Sequence, residues 1–213
     1  MQIVVTGAGG RLGLRACEEL TAAGHDVLGM DLTATPGRHV VADLRDPAAC
    51  VRHFAGADAV VHTGGVLSCN GESDEAVYVQ NLAMAFHVFS AAAACGVRKV
   101  LYASSIQVLG WGGADPGTVW GFRPDYLPLD DRLPRRPASL YALNKAAAED
   151  LLEHFSRAAG FEAVSLRFPR LLDGANVQWL DDLKRERNCW IVMRYPSAAR
   201  LIRCCLESRL PGY

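Results

Sequence analysis

QIVVTGAGGRLG, residues 2–13, runs a short β-rich segment straight into a glycine-rich turn. Arg11 to Ala23 then carries a helical pattern that stops at Gly24. A strand, a G-x-x-G-x-x-G turn and a helix in that order is the context a dinucleotide fingerprint needs. The glycines have a physical purpose: the chain must turn tightly, bring its backbone up to a pyrophosphate and aim free N–H groups at the anion. The competing reading is a tight βα turn with no ligand. On the binding reading, Gly7, Gly9, Gly10, Arg11, Leu12 and Gly13 form the cradle.

Outward from that turn, β-rich runs alternate with helical ones. DVLGM (26–30), HVVA (39–42), DAVVH (58–62) and RKVLYA (98–103) read as strands, with helices over 46–54 and 74–95. DAVVH is mostly apolar, as expected where both faces of a parallel sheet are covered. The alternation predicts an α/β, Rossmann-type doubly wound parallel sheet built from right-handed βαβ units. A helix over 138–159 and a sixth strand, EAVSLRF (162–168), complete a nucleotide-binding domain over 1–168. Residues 110–137, rich in Gly, Pro and Trp, are expected to form a long ordered loop. Residues 169–195 show no period, and 197–206 reads as a last amphipathic helix. Residues 169–213 thus form a partial substrate-binding lobe.

Asp31 ends the second strand, 24 residues beyond Gly7. A carboxylate there accepts hydrogen bonds from ribose hydroxyls and repels a 2′-phosphate, favouring NAD over NADP. The rival reading leaves Asp31 solvated and Arg38 free to take a phosphate. Asp43 and Leu44 are placed to meet the adenine ring, although Asp43 equally suits a cap for the next helix.

Tyr141 and Lys145, in SLYALNK, are i and i+4 on one helix and share a face. Tyrosine has an unperturbed pKa near 10, too high for a base at neutral pH. A neighbouring ammonium and a positive nicotinamide ring would both lower it. The phenolate would take a proton from a substrate hydroxyl, with Ser105 holding the reacting oxygen. Coincidence is the alternative for a Tyr-x-x-x-Lys spacing; its place after the serine strand argues for chemistry.

These residues resemble an extended short-chain dehydrogenase/reductase of the NAD-dependent epimerase/dehydratase family. The similarity is carried by TGAGGRLG, Asp31, ADL (42–44), VVHTGG (60–65), Asn81, YASSIQVLG (102–110), YLPLDD (126–131), RLPRRPASLYALNK (132–145) and SLRFPRLLDG (165–174). It implies a Ser105, Tyr141, Lys145 catalytic group. It also implies that Thr63, Gly64, Gly65 and Ser104 line the cofactor with Tyr141 and Lys145, and that Asn81 supports the site. A homodimer through the helices 74–95 and 138–159 is implied as well. Ile106 and Gln107 stand where dehydratases of the family carry Asp and Glu, so dehydration is not expected. Asn144 replaces a serine, with little effect expected. Members run on beyond the point where this sequence reaches PGY (211–213).

The compact pattern around WIVMRYPSAARLI (190–202) resembles the uronate dehydrogenase-like branch, with a sugar epimerase-like branch the other option. Arg185 and Arg187 are candidates to fork a substrate carboxylate; a solvated KRER face competes. Trp111 and Trp120 either stack on a sugar ring or pin the loop. The expected function is NAD-dependent oxidation or epimerisation at a secondary hydroxyl of a sugar, sugar acid or nucleotide sugar. The alternative is a non-catalytic NAD(P)-binding regulator of the same fold.

Composition sets bounds on partners. Net charge is −1, which gives no basic field for nucleic acid. Only Lys99, Lys145 and Lys184 are lysines, which adds weight to Lys145. The seven cysteines lack C-x-x-C spacing and read as reduced, mostly packed thiols. Cys204 and Cys205 read as packing residues of the last helix. His62 reads as a satisfied structural histidine, and no metal site is expected. The longest apolar run, 83–97, falls short of the roughly 20 residues of a membrane span. With a strand-like run from residue 2 and no leader, a cytoplasmic protein without membrane partner is expected.

Overall fold

The computed structural model describes residues 1–66, 73–110, 125–174 and 192–209. Six strands form one parallel sheet: β1 Gln2–Thr6, β2 Asp26–Asp31, β3 His39–Val41, β4 Ala59–His62, β5 Lys99–Ser105 and β6 Glu162–Phe168. Their order is β3-β2-β1-β4-β5-β6, the doubly wound arrangement the alternation predicts. The order reverses between β1 and β4, so a crevice opens there at the carboxyl ends of the strands. Ligands gather in that crevice in such sheets.

Helices cover both faces. On one side α1 (Arg11–Ala22) and α5 (Tyr195–Glu207) bury Ala16, Leu20, Ala198 and Ile202 against Ile3, Val5, Val61 and Leu101. On the other, α2 (Pro47–Phe54), α3 (Asp74–Ala94) and α4 (Leu140–Ala159) pack Phe54, Val88, Phe89 and Leu152 on Val4, Val60, Val100 and Tyr102. The strand periodicity of two divides each strand between these two cores. By length and composition α3 is apolar enough to cross a membrane, contrary to the expectation from the shorter run 83–97. In the fold its Met84, Ala85, Val88, Phe89 and Ala92 serve the core.

Two further departures from the sequence reading concern the region after β6. Arg170–Leu172 and Val192–Arg194 are strands, β7 and β8, which pair in parallel as a second small sheet. Each has three residues, too few to display an alternation against the prolines and arginines around them. Cys204 is exposed, whereas Cys205 is partly buried in the α1/α5 core. Trp111, Trp120, Arg185, Arg187, Cys69 and Cys189 lie outside the described residues.

Candidate active site

The glycine turn is closed by backbone against backbone. Gly7 has φ +73°, and a Cβ there would lie 2.5 Å from the Gly64 Cα. A Cβ on Gly13 would lie 2.1 Å from the Gly7 carbonyl oxygen. No side chain fits at either place, so the first turn of α1 can lie directly on the ends of β1 and β4. The helices α2, α3 and α4 are capped by the side chains of Asp46, Ser73 and Ser139. By contrast α1 starts at Gly10 with no side-chain cap and no acidic residue in its first turn. Its N-terminal dipole and backbone N–H groups therefore suit an anion. Arg11 heads the helix and reaches Asp173 at 3.5 Å, while Leu12 packs into the α1/α5 core.

A cleft of about 310 Å³ opens beside this turn. Gly7, Gly10, Asp31, Asp43, Leu44, Thr63, Gly64 and Gly65 all contribute to its wall. Asp31 holds the glycine turn directly: Oδ2 accepts from the Gly9 N–H at 2.9 Å, and Oδ1 accepts from the Thr33 N–H at 3.2 Å. Arg38 is taken up by Asp26 at 2.5 Å, so the structure does not leave it free as the rival reading required. For Asp43 the capping alternative is closed. Asp46, not Asp43, caps α2 by accepting from the Ala48 N–H. Asp43 grips Arg45 through Nε and Nη2, which holds its carboxyl below the usual carboxylate range.

Thr63 donates its hydroxyl to the Thr6 carbonyl at 2.8 Å, joining the ends of β1 and β4. Asn81 clamps the following loop from α3. Its Oδ1 accepts from the Val66 N–H at 2.7 Å and its Nδ2 donates to the Val66 carbonyl at 2.9 Å. Asn81 thus acts on the loop backbone.

Ser105, Tyr141 and Lys145 come together at the end of β5 and the first turns of α4. Ser105 is buried and its hydroxyl accepts from the Gln107 N–H, capping the 3₁₀ turn Ile106–Leu109. Its hydroxyl is also near enough to the Tyr141 phenol to favour the ionised form there. Ser139 caps α4 by accepting from the Ala142 N–H at 3.1 Å, which fixes where the tyrosine's turn begins. Lys145 donates to the Ala103 carbonyl at 2.8 Å, with its ammonium 4.8 Å from the Tyr102 ring and 5.8 Å from the Tyr141 ring.

Burial raises the Tyr141 pKa above its usual value, and the neighbouring Ser105 hydroxyl offsets only part of that. Burial likewise pulls Lys145 down to about 8, against the opposing charge of Glu149. Desolvation, invisible in the sequence, is the largest influence on both groups. His62, buried one strand away, shares a hydrogen bond with Thr6 Oγ1 at 2.7 Å and stacks on Tyr102. Burial and then the Lys145 charge push it down to about 3, so it is a neutral structural residue.

Two residues escaped the sequence reading. Glu149 is buried on α4, one turn beyond Lys145, and it takes the Ser104 hydroxyl at 2.6 Å. That commits the Ser104 side chain, which the resemblance had assigned to the cofactor. Arg167 of β6 grips the same carboxylate through Nε at 3.0 Å and Nη2 at 2.9 Å. The signal was present: a carboxylate on the alanine-rich, inward face of a helix, continuing the Tyr141, Lys145 spacing. Asn144 is buried as well and donates to the Tyr78 carbonyl at 2.8 Å, tying α4 to α3.

Comparison with known proteins agrees with this geometry. The model of the NAD dependent epimerase/dehydratase family matches residues 3–173. Uronate dehydrogenase of Pseudomonas putida is 33% identical over 172 residues, covering 78% of this chain and 59% of that protein. The chain therefore spans about three-fifths of the length of that curated relative. L-arabinose 1-dehydrogenase (NAD(P)(+)) of Haloferax volcanii is 32% identical over 186 residues, covering 83% of this chain and 70% of that protein. Among solved structures, a short-chain dehydrogenase/reductase superfamily protein from Agrobacterium tumefaciens with bound NAD superposes with a TM-score of 0.72. It is 28% identical and covers 96% of this chain and 62% of that one.

Proposed function

This chain belongs to the NAD dependent epimerase/dehydratase family, and from that premise we propose that it is an NAD-dependent oxidoreductase or epimerase. Its substrate would be a sugar, sugar acid or nucleotide sugar carrying a reactive secondary hydroxyl. The observation that carries the reading is the meeting of Ser105, Tyr141 and Lys145, with the Lys145 ammonium tied to β5 and 5.8 Å from the Tyr141 ring, beside a cradle that only glycine fits. The names of the relatives, a uronate and an arabinose dehydrogenase, support a sugar or sugar acid.

The residues fit a dinucleotide. Gly7, Gly9, Gly10 and Gly13 with the open start of α1 would hold the pyrophosphate. Asp31 would take the adenosine ribose hydroxyls, which favours NAD over NADP. Leu44, with Asp43 drawn aside by Arg45, would flank the adenine. Thr63, Gly64 and Gly65, pinned by Asn81, would line the next stretch. When bound, NAD supplies the hydride acceptor.

The chain's own residues manage the proton. Ser105 would donate a hydrogen bond to the reacting oxygen, and Tyr141 would take the hydroxyl proton. Because burial favours the neutral phenol, Tyr141 depends on the Lys145 ammonium to stabilise the phenolate. Ile106 and Gln107 put no carboxylate beside Ser105, which favours oxidation or epimerisation over loss of water.

A homodimer through α3 and α4 is part of the proposal. Val79 and Phe86 on α3 and Leu140 and Leu143 on α4 are exposed apolar side chains on these two neighbouring helices.

The test is calorimetric titration with NAD⁺ and with NADP⁺, then absorbance at the nicotinamide band over a panel of sugars, sugar acids and nucleotide sugars. NADH that accumulates identifies a dehydrogenase. Interconversion of two sugars without accumulation identifies an epimerase. A protein that binds neither dinucleotide ends the proposal.

A further inference from the structure

We propose that Glu149 is the positioning residue of the Ser105, Tyr141, Lys145 group: its buried carboxylate anchors the serine strand through Ser104 and holds the Lys145 ammonium by its charge. The inference rests on the role proposed above for Lys145.

Glu149 is only 4% exposed, and a carboxylate so placed must be matched by donors and a counter-charge. The donors come from two different strands. Ser104 of β5 gives its hydroxyl at 2.6 Å, and Arg167 of β6 gives a two-pronged grip at 2.9 and 3.0 Å. Arg135, from the segment before α4, stands at 3.7 Å and also bonds the Ala146 carbonyl. The carboxylate is therefore a node where β5, β6 and α4 meet, and such buried networks hold a unique arrangement when each member is satisfied. Ser104 directly precedes Ser105, so fixing the one hydroxyl fixes the strand end that presents the other.

The second contribution is electrostatic. Residues i and i+4 of a helix share a face, so Lys145 lies between Tyr141 and Glu149 on α4. Among the described residues, the charged and titratable groups around its ammonium are Glu149 and Tyr141 of α4, Tyr102 of β5 and His62 of β4, with Arg167 of β6 and Arg135 behind Glu149. Of these, Glu149 is the carboxylate that opposes the burial of the ammonium. Neutralising it removes the attraction and leaves the desolvation.

The chain has three lysines, so its lysine side-chain NMR spectrum is simple enough to titrate one at a time. The experiment labels lysine with ¹³C at Cε, assigns Lys145 by the signal missing in Lys145→Arg, and follows its midpoint in wild type, Glu149→Gln and Glu149→Asp. Glu149→Gln is expected to lower the Lys145 midpoint by about one pH unit. Glu149→Asp, which keeps the charge, is expected to fall less. A midpoint unmoved in Glu149→Gln, or one that falls equally in both variants, overturns the proposal. Should Glu149→Gln fail to fold, the double variant Glu149→Gln/Arg167→Met is compared with Arg167→Met alone, and a Lys145 midpoint no lower in the double variant than in that single one overturns the proposal. The titration uses neither dinucleotide nor sugar, so a negative result here is distinct from a failure of the enzyme reading.

Discussion

Lys145 crosses from α4 to the Ala103 carbonyl of β5, 2.8 Å away, and so welds the helix that carries Tyr141 to the strand that carries Ser105. The same contact keeps an ammonium in a half-buried place that disfavours its charge.

That cost gives a pH dependence with a definite sign. The Lys145 pKa falls from 10.5 to about 8 on folding, so between these values the unfolded chain binds the extra proton. Stability then rises with pH across the window, and the penalty is fully present below it. Denaturant unfolding of wild type and Lys145→Met at pH 7.5 and pH 10 should show wild type gaining on the variant, by up to about 3 kcal/mol. A difference that is flat with pH would place the ammonium in solvent.

Gly13→Ala tests the cradle. The added methyl would meet the Gly7 carbonyl at 2.1 Å, a backbone atom that cannot move without opening the turn. The variant should lose about 1–3 kcal/mol of stability and bind NAD⁺ at least about tenfold more weakly. Melting and calorimetry check the two parts. Unchanged NAD⁺ affinity would show that the turn does not carry the pyrophosphate.

Asp31→Ala separates the two dinucleotides. The carboxylate is held by Gly9 and Thr33, so it stands at the cleft wall with little freedom to swing away. Its loss should reduce the NAD⁺ to NADP⁺ preference by about tenfold, the worth of one charge-assisted hydrogen bond. A wild type that already prefers NADP⁺ would refute the role given to Asp31.

Much of this was legible in the chain. Apolar runs such as AVVH and IVVT could only be inner strands of a covered parallel sheet, and the glycines at 7 and 13 stand where the backbone meets itself. Other features depend on partners far away in sequence. The Glu149–Arg167 grip joins a helix to the strand after it, and no local pattern encodes it. The burial that raises the Tyr141 pKa is of the same kind, because the Tyr-x-x-x-Lys spacing reveals a neighbouring charge and nothing of solvent. β7 and β8 were missed because three-residue strands show no period.

The most direct test of the central claim compares wild type with Tyr141→Phe for NAD⁺ affinity and for turnover of whichever sugar the wild type accepts. The account predicts NAD⁺ affinity retained within about threefold and turnover lower by about a hundredfold or more, the usual contribution of a positioned acid or base. A variant that turns the sugar over as fast as wild type would contradict it.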